Sequence, residues 1–201
     1  MTVAALVLYA AWFVLAFGVR TIVMLRRTGD SGFRGLSGRS GPLEVVAGVG
    51  FFVALLIGLA APLADLAGLD PIAALDTPVV AGAGLALATA GVVLTLLAQL
   101  SMGTSWRIGV DPGERTALVT DGAFAVVRNP IFSAMLVTAI GLALMVPNVL
   151  SAVGLVSLLV ALEAQVRGVE EPYLRRVHGD AYRRYESTVG RFVPRLGRTS
   201  H

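Results

Sequence analysis

Charged residues near the end of a long apolar stretch are the first candidates for chemistry in this sequence. The stretch ends in the run L-E-A-Q-V-R-G-V-E-E-P-Y, in which Glu163, Arg167 and Glu170 follow at helical positions i, i+4 and i+7, with Glu171 beside them. Ionisable groups in an apolar helix are costly, and they usually face a cavity or a partner. Two interpretations remain open: an ion-paired ladder that locks helix packing, or a polar wall that leads from the solvent into the fold.

Residue usage narrows the chemistry that is available. The chain has no cysteine, which excludes disulfides, thiolate nucleophiles, thiolate zinc sites and iron–sulfur clusters. It has only two histidines, His178 and His201, so we expect no metal site. The net charge is only +3, and we expect no nucleic-acid partner. Catalysis must then depend on carboxylates, guanidinium groups, hydroxyls or a cofactor.

The elements that position these groups are predicted to be membrane-spanning helices. Of the 201 residues, 56% are hydrophobic and 14% are charged, which is too apolar for one small soluble core. A helix needs about 20 residues to cross a bilayer. Five spans fit, at about 3–25, 43–63, 78–100, 131–146 and 149–167. We therefore predict an all-α, polytopic integral membrane protein with one domain over residues 1–201 and a tail over 168–201.

Two details of these helices follow from single residues. Pro147 and Asn148 form a turn signal that divides the last apolar run, which is too long for one span, into two helices. Pairs of glycines within the spans, Gly82 with Gly84 and Gly48 with Gly50, are expected to allow close helix packing.

The distribution of arginine predicts the orientation. All 16 basic residues are arginine, and none lies in the loop 62–77, which contains three aspartates; the other two long loops contain seven arginines, and the tail contains seven more. By the positive-inside rule the N-terminus is outside and the C-terminus is cytoplasmic. The first span has no basic residue before it and is expected to be a retained anchor rather than a signal peptide. The 26–42 loop either anchors to anionic lipid or gates the substrate.

An ordered series of motifs fills the last 40% of the chain. The series is L-V-T-D-G-A-F-A-V-V-R-N-P-I-F (118–132), an apolar helical hairpin, E-E-P-Y-L (170–174), H-G-D-A-Y-R-R-Y (178–185) and V-G-R-F-V-P (189–194). It resembles the isoprenylcysteine carboxyl methyltransferase and phospholipid methyltransferase family of integral membrane enzymes. The resemblance implies an S-adenosylmethionine site at the cytoplasmic face, built from the loop before the Arg-x-Pro motif, the hairpin and the tail.

The resemblance also implies roles for individual residues. The cofactor-binding residues would be Val119, Gly122, Phe124, Arg128, Asn129, Pro130, Phe132, Glu170, Glu171, Tyr182, Tyr185 and Arg191, with Pro194 matching the tail. The catalytic residues would be Arg128, Glu170 and Arg167, and the substrate-binding residues Glu163 and Arg167. Asn129 stands where the family usually has His, and Phe132 stands where Tyr is usual. Both departures remove an ionisable group, so a pH-dependent role is not expected there.

The residue types suit the implied cofactor. S-adenosylmethionine carries a sulfonium, an ammonium and a carboxylate, so its pocket needs acids, a guanidinium group and an aromatic wall for adenine. Methyl transfer to a carboxylate or thiolate needs alignment in a water-poor site rather than a strong base. Because the matched motifs lie beside aliphatic helices, we expect a lipophilic or amphiphilic acceptor, with a carboxylate as the first choice of head group.

Other functions stay open. Membrane sterol and steroid reductases are similar in their C-terminal helices and bind NADPH there, and a non-catalytic helical scaffold or small transporter is a third alternative. A chain rich in Arg, Ala, Gly and Val but free of Lys is typical of a high-GC bacterium, which predicts location in the bacterial inner membrane and argues against a prenylated protein as acceptor. Neither the acceptor, nor whether O, N or S is methylated, nor the oligomeric state follows from the sequence.

Overall fold

A computed structural model describes residues 1–31, 42–102 and 117–199 of the chain. These ranges fold into six helices: α1 (Thr2–Thr28), α2 (Pro42–Leu66), α3 (Pro78–Ser101), α4 (Pro130–Met145), α5 (Val149–His178) and α6 (Asp180–Thr188). A short 3-10 turn covers Gly122–Ala125. Within the described ranges the chain has no strand, and one isolated parallel bridge joins Val127 to Gly190. Most of the 26–42 loop lies outside the described residues.

Four of the helices, α1, α2, α3 and α5, are long and apolar enough to cross a membrane, and α4 is a shorter apolar helix of 16 residues. The prediction of an all-α, polytopic membrane protein is therefore confirmed. α5 continues to His178, well beyond residue 167, where the sequence places the end of its span. The charged motif E-E-P-Y is thus part of the helix that continues from the predicted span.

The turn between α4 and α5 is held by side-chain hydrogen bonds. Asn148 caps α5 by accepting a hydrogen bond from the backbone N–H of Ser151 (2.9 Å), and its Nδ2 donates to the carbonyl oxygen of Ala61 on α2 (2.9 Å). The backbone N–H of Ile72 donates to the carbonyl oxygen of Pro147 (2.6 Å). The Pro-Asn signal therefore both separates the two helices and ties them to α2 and to the α2–α3 loop.

α3 and α4 pack closely because glycines lie where they cross. A Cβ atom added to Gly141 would lie 2.7 Å from Ala88 Cα, and one added to Gly84 would lie 2.7 Å from the carbonyl oxygen of Gly141. Of the glycines expected to permit close packing, Gly84 does so, whereas Gly82 and Gly48 have no atom within 4 Å of an added Cβ. Close approach of backbones replaces the hydrophobic effect as the source of helix association in lipid.

π-helical turns interrupt two of the long helices, at Val14–Val19 in α1 and at Val166–Glu170 in α5. A π-helical turn adds one residue to the helical repeat, which rotates the following residues by about 100°. In α5 this change falls between Arg167 and Glu171. Glu170 therefore does not continue the face of Glu163 and Arg167 that a regular 3.6-residue repeat predicts.

The tail folds back onto the end of the bundle where α3 ends and α4 begins, which we call the tail-side end. The backbone N–H groups of Arg128 and Asn129 donate to the carbonyl oxygens of Gly190 (2.8 Å) and Arg191 (3.1 Å). Ser133 Oγ on α4 donates to the carbonyl oxygen of Phe192 (2.7 Å). These bonds place residues 190–192 alongside the entry to α4, and this juxtaposition creates the candidate site.

Candidate functional site

Arg128 lies just before α4 and joins several parts of the tail-side end. Its Nη1 donates to the carbonyl oxygens of Glu186 and Val189 (both 2.8 Å). Its Nη2 donates to Glu171 Oε1 (2.8 Å) and to the carbonyl oxygen of Gly197 (3.1 Å). The side chain is only 1% exposed. The guanidinium group therefore ties the end of α6 and the following tail to α5.

Glu171 is the acceptor at the centre of this arrangement. Its Oε1 accepts from Arg128 Nη2 and from Arg191 Nε (2.7 Å), and its Oε2 accepts from Arg191 Nη2 (3.0 Å) and Arg175 Nη2 (3.3 Å). The hydrogen bonds from Arg191 to the Glu171 carboxylate raise the pKa of Arg191. Both carboxylate oxygens are thus engaged by protein donors, which is how a buried charge is tolerated.

Glu186 of α6 extends the same network. Its carboxylate accepts from Arg175 Nη2 (2.7 Å) and Nε (3.0 Å), and the side chain is fully buried. We call Arg128, Glu171, Arg175, Glu186 and Arg191 the ion cluster. It holds three guanidinium groups and two carboxylates, so its net charge is +1. Arg128 Nε is buried and has no hydrogen-bond partner among the described residues.

Two tyrosines on the buried face of α6 fix the 3-10 turn. Tyr185 Oη donates to the carbonyl oxygen of Phe124 (2.6 Å), and the rings of Tyr182 and Tyr185 meet edge to face with centroids 6.0 Å apart. Burial raises the pKa of Tyr185 to about 12, and burial is also the main cause of the raised pKa of Tyr182. The Tyr185 phenol therefore keeps the proton of its hydrogen bond to Phe124 well into the alkaline range.

The segment before Arg128 packs against the end of α3. Gly122 has a φ of 55°, which disfavours a side chain, and a Cβ added there would lie 3.3 Å from Ser101 Oγ. Val119 is half-buried, and Pro130 occupies the first turn of α4, where its missing N–H is not needed. Asn129 Nδ2 donates to the carbonyl oxygen of Arg191 (3.2 Å). This segment therefore forms one wall of the tail-side end.

The structure brings together many of the residues implied by the motifs. Arg128, Glu171 and Arg191 are in direct contact, and Tyr185 contacts the segment that holds Phe124. Glu170 is half-buried next to the ion cluster, and Gln165 Nε2 lies 3.5 Å from its Oε1.

Three implied residues lie apart from the cluster. Phe132 packs in the apolar core, against the two clusters that contain Met135 of α4 and Leu162 of α5. Glu163 and Arg167 form an ion pair with each other, and the Arg167 side chain is 62% exposed. The two groups therefore pair along one helix at the protein surface.

Sequence reasoning missed Arg175, Glu186 and Ser133. The signal for Glu186 was present in the spacing, because Tyr182, Tyr185 and Glu186 stand at i, i+3 and i+4 on one face of α6 and all are buried. Arg175 is the residue four positions after Glu171 on the same helix, the spacing of an ion pair. Ser133 gave no sequence signal, since its role depends on the tail lying beside α4.

The groups at the tail-side end suit the implied cofactor. The excess positive charge and the unsatisfied Arg128 Nε favour a carboxylate, and Glu170, the residue before Glu171 on α5, is a half-buried acid. Phe124 and Tyr182 are buried aromatic side chains of the same region. Glu171, by contrast, is committed to arginines and acts by holding them in place.

The chain is similar to known proteins over much of its length. The model of a family described as phospholipid methyltransferase, PEMT, matches residues 79–181, slightly more than half of the chain and including Arg128, Glu171 and Arg175. Protein-S-isoprenylcysteine O-methyltransferase B of Arabidopsis thaliana is 29% identical over 113 residues, which are 55% of this chain and 57% of that protein. The match thus spans less than two-thirds of that relative.

A solved structure has the same fold. It is that of the eukaryotic intramembrane Ras methyltransferase ICMT (isoprenylcysteine carboxyl methyltransferase), with a TM-score of 0.63 and 18% sequence identity. The superposition covers 96% of this chain and 67% of that one. The fold, the motif series and the family match over α3 to α5 lead to one conclusion: the chain belongs to the phospholipid methyltransferase family.

Proposed function

We propose that the protein is an S-adenosylmethionine-dependent integral membrane methyltransferase that acts on a lipophilic or amphiphilic small molecule at the cytoplasmic membrane face. The observation that carries this proposal is the family match over residues 79–181, because this range includes the segment 119–130 and all of α5. The ion cluster supports it, since it holds these two parts together with the tail.

The cofactor residues divide into two groups. The polar ends of S-adenosylmethionine would be bound by Asn129, by Glu170 and by the Nε of Arg128. Its apolar part would be lined by Phe124 and Tyr182. The remaining residues position these groups. Hydrogen bonds do so for Glu171, Tyr185 and Arg191. The backbone conformation of the segment 119–130 does so for Val119, Gly122 and Pro130. When bound, S-adenosylmethionine supplies a methyl group activated by the adjacent sulfonium.

The acceptor would enter from the bilayer. A cavity of about 60 Å³ lies between α1, α2, α4 and α5, and its lining is mostly apolar, with Leu55, Met135 and Leu158 among its residues. Such a cavity suits the end of an apolar chain rather than a water-soluble molecule. The Glu163–Arg167 pair lies on α5 before Glu170, on the membrane side of the ion cluster, and we assign it to the acceptor.

The orientation in the membrane is part of the proposal. The tail-side end carries exposed arginines on α6, Arg183 and Arg184, and at the end of α1, Arg26 and Arg27. The opposite end carries the aspartates of the loop 62–77. This asymmetry supports a cytoplasmic C-terminus and an outside N-terminus in the inner membrane of a bacterium.

The test is binding and transfer with purified protein. S-adenosylhomocysteine is expected to raise the melting temperature by mass action, and label from methyl-labelled S-adenosylmethionine should pass to acceptors with an apolar tail and into the organic phase. Glu170→Gln should weaken binding of S-adenosylhomocysteine. Asp180→Asn, which alters an exposed ion pair on α6, is the matched control and should leave binding unchanged.

The alternatives give different results. Stabilisation by NADPH and not by S-adenosylhomocysteine would indicate a reductase. No effect of either ligand would indicate a non-catalytic membrane protein. Label that appears only in aqueous products, whatever the tail length of the acceptor, would contradict the lipophilic substrate while leaving the methyltransferase activity in place.

A further inference from the structure

The apolar cavity between α1, α2, α4 and α5 stops short of the donor site, by which we mean the segment 119–130 assigned to the cofactor. On α4 the cavity lining extends from Met135 to Val146. At 1.5 Å per residue, these positions are about 8 and 24 Å from Pro130, where α4 begins. A chain that runs from the donor site into the cavity must therefore first pass the side chains that precede Met135.

Two phenylalanines occupy this intervening level. Phe132 is one helical turn before Met135 on α4, and Phe51 is one turn before Ala54, the cavity residue of α2 that is nearest the tail-side end. Both rings pack against the two buried clusters that border the cavity there, one formed by α1 and α4 and the other by α2 and α5. We call Phe51 and Phe132 the phenylalanine pair. It lies between the donor site and the cavity.

The phenylalanine pair is held by neighbours on other elements. Phe192 of the tail packs against the same α2–α5 cluster, and its carbonyl oxygen accepts a hydrogen bond from Oγ of Ser133, the residue after Phe132. On α1, the ring of Phe17 lies 6.4 Å from that of Phe51, centroid to centroid. Rings packed in this way move apart only at the cost of their contacts. The size of the two rings therefore limits the width of a chain that passes them.

The cavity beyond the pair suits hydrocarbon. The side chains with hydroxyl groups in its lining are Tyr9, Thr138 and Ser151, and each donates its hydrogen to a backbone carbonyl oxygen. A hydrocarbon chain needs no hydrogen-bond partner, so it can fill such a space without leaving one of its own groups unpaired. A lipid tail of one leaflet extends about 15 Å, half of the hydrocarbon core. A tail that starts at the donor site would thus end inside the cavity.

Branching determines how easily a chain passes the phenylalanine pair. An unbranched alkyl chain is the narrowest hydrocarbon, whereas each methyl branch widens the chain and must displace a packed ring. Extra methyl groups in a packed site typically weaken the packing enough to reduce an equilibrium constant about 10-fold or more. Phe51 and Phe132 are half-buried, so part of each ring is open to contact with a chain.

We propose that Phe51 and Phe132 determine specificity for the tail of the methyl acceptor: the tail passes the phenylalanine pair into the cavity, and the pair selects an unbranched chain over a methyl-branched one. The identification of the ligand as the acceptor rests on the proposed methyltransferase function. The preferred acceptor then has an acyl-type tail rather than an isoprenoid tail, whatever its head group.

The experiment measures equilibrium binding of two tritiated alcohols to the full-length protein in phosphatidylcholine nanodiscs. They are 1-hexadecanol and phytanol, which has the same main chain with four methyl branches. The wild type should bind phytanol about 10-fold or more weakly than hexadecanol. Phe51→Ala and Phe132→Ala should each reduce this preference to about threefold or less, because the space left by the ring accepts a branch.

The control is the neighbouring ring on α2. Phe52 is 60% exposed, and Phe52→Ala should keep the wild-type preference. The Kd for S-adenosylhomocysteine should keep its wild-type value in all three variants. If an alanine variant does not fold, the leucine variant at the same position should change the preference in the same direction by a smaller factor, because leucine removes less volume.

Photolabelling locates the end of the chain. Hexadecanol with a diazirine near its methyl end should form adducts with residues of the cavity lining, such as Met135, Thr138 and Leu158. An excess of unlabelled hexadecanol should abolish these adducts. The same concentration of phytanol should leave them largely in place.

Three outcomes would overturn the proposal. The first is that the wild type binds neither alcohol or does not prefer hexadecanol. The second is a preference that survives both alanine substitutions, which would place the selection elsewhere. The third is adducts confined to lipid-facing residues such as Phe52, which would show that the tail stays outside the cavity. Selective binding that depends on Phe51 and Phe132, without any transfer of label from methyl-labelled S-adenosylmethionine, would support the tail site and contradict the proposed function instead.

Discussion

Removal of the negative charge of Glu171 is the most informative perturbation of the tail-side end. Glu171→Gln preserves the size of the side chain and leaves one oxygen acceptor. It replaces the second oxygen with an NH₂ group, which would face the donors of Arg191 and Arg175. The ion cluster would then hold three guanidinium groups and only the carboxylate of Glu186, so its net charge would rise from +1 to +2.

The expected cost follows from burial. The side chains of Glu171 and Arg128 are 3% and 1% exposed, so water cannot replace the lost partner. Breaking a buried ion pair by removing one partner typically destabilises a protein by about 3 to 5 kcal/mol. The matched control is Asp180→Asn, which breaks an exposed pair with Arg183 and should cost less than about 1 kcal/mol.

Hydrogen exchange measures this loss of stability at the backbone amides that hold the tail. The amides of Arg128 and Asn129 donate to the tail, and that of Arg191 donates to the carbonyl oxygen of Leu196 (2.8 Å). If the tail opens locally, these amides should exchange about 100-fold faster or more in Glu171→Gln. Amides within α2, remote from the cluster, should keep their wild-type rates.

The result that would refute this reasoning is specific. If the amides of Arg128, Asn129 and Arg191 exchange at the same rates in Glu171→Gln as in Asp180→Asn, Glu171 does not hold the tail in place. If exchange instead accelerates equally in α2 and in the tail, the variant has lost its global fold, and Glu171 is not a local tether.

Three further predictions test other parts of the fold. Gly141→Ala should destabilise the protein by about 1 to 3 kcal/mol in denaturant unfolding, because the added Cβ would meet α3 backbone, whereas Gly82→Ala should be neutral. Because burial raises the Tyr185 pKa from 10.0 to about 12, its contribution to stability is complete below pH 10 and is lost as the pH rises through 12; Tyr185→Phe should show a shallower alkaline decline in melting temperature. Reporter fusions at Asp70 and at the C-terminus should report opposite compartments, and the same compartment at both would contradict the topology.

The helical membrane architecture was predictable from the sequence alone. Apolar runs of about 20 residues allow few structures in a bilayer, because every backbone N–H and C=O must be paired within the element. The turn at Pro147 and Asn148 was predictable for a similarly local reason, since proline ends a helix and asparagine caps the next. The ordered motifs of the last 80 residues indicated the family, which the match over residues 79–181 confirms.

The roles of single charged residues depended on the tertiary structure. A regular helical repeat places Glu170 on the face of Glu163 and Arg167, whereas in the structure Glu171, the residue after the π-helical turn Val166–Glu170, is the buried acid. Glu186 pairs with Arg175 because α6 folds back onto α5, and Gln99 donates to the carbonyl oxygen of Ala16 because α3 packs against the π-helical turn of α1. Periodicity and turn signals act over a few residues, so the sequence displays them. Ion pairs between residues far apart in the chain exist only once the helices have packed, and that packing determines which charges are held in place and which are left to bind a ligand.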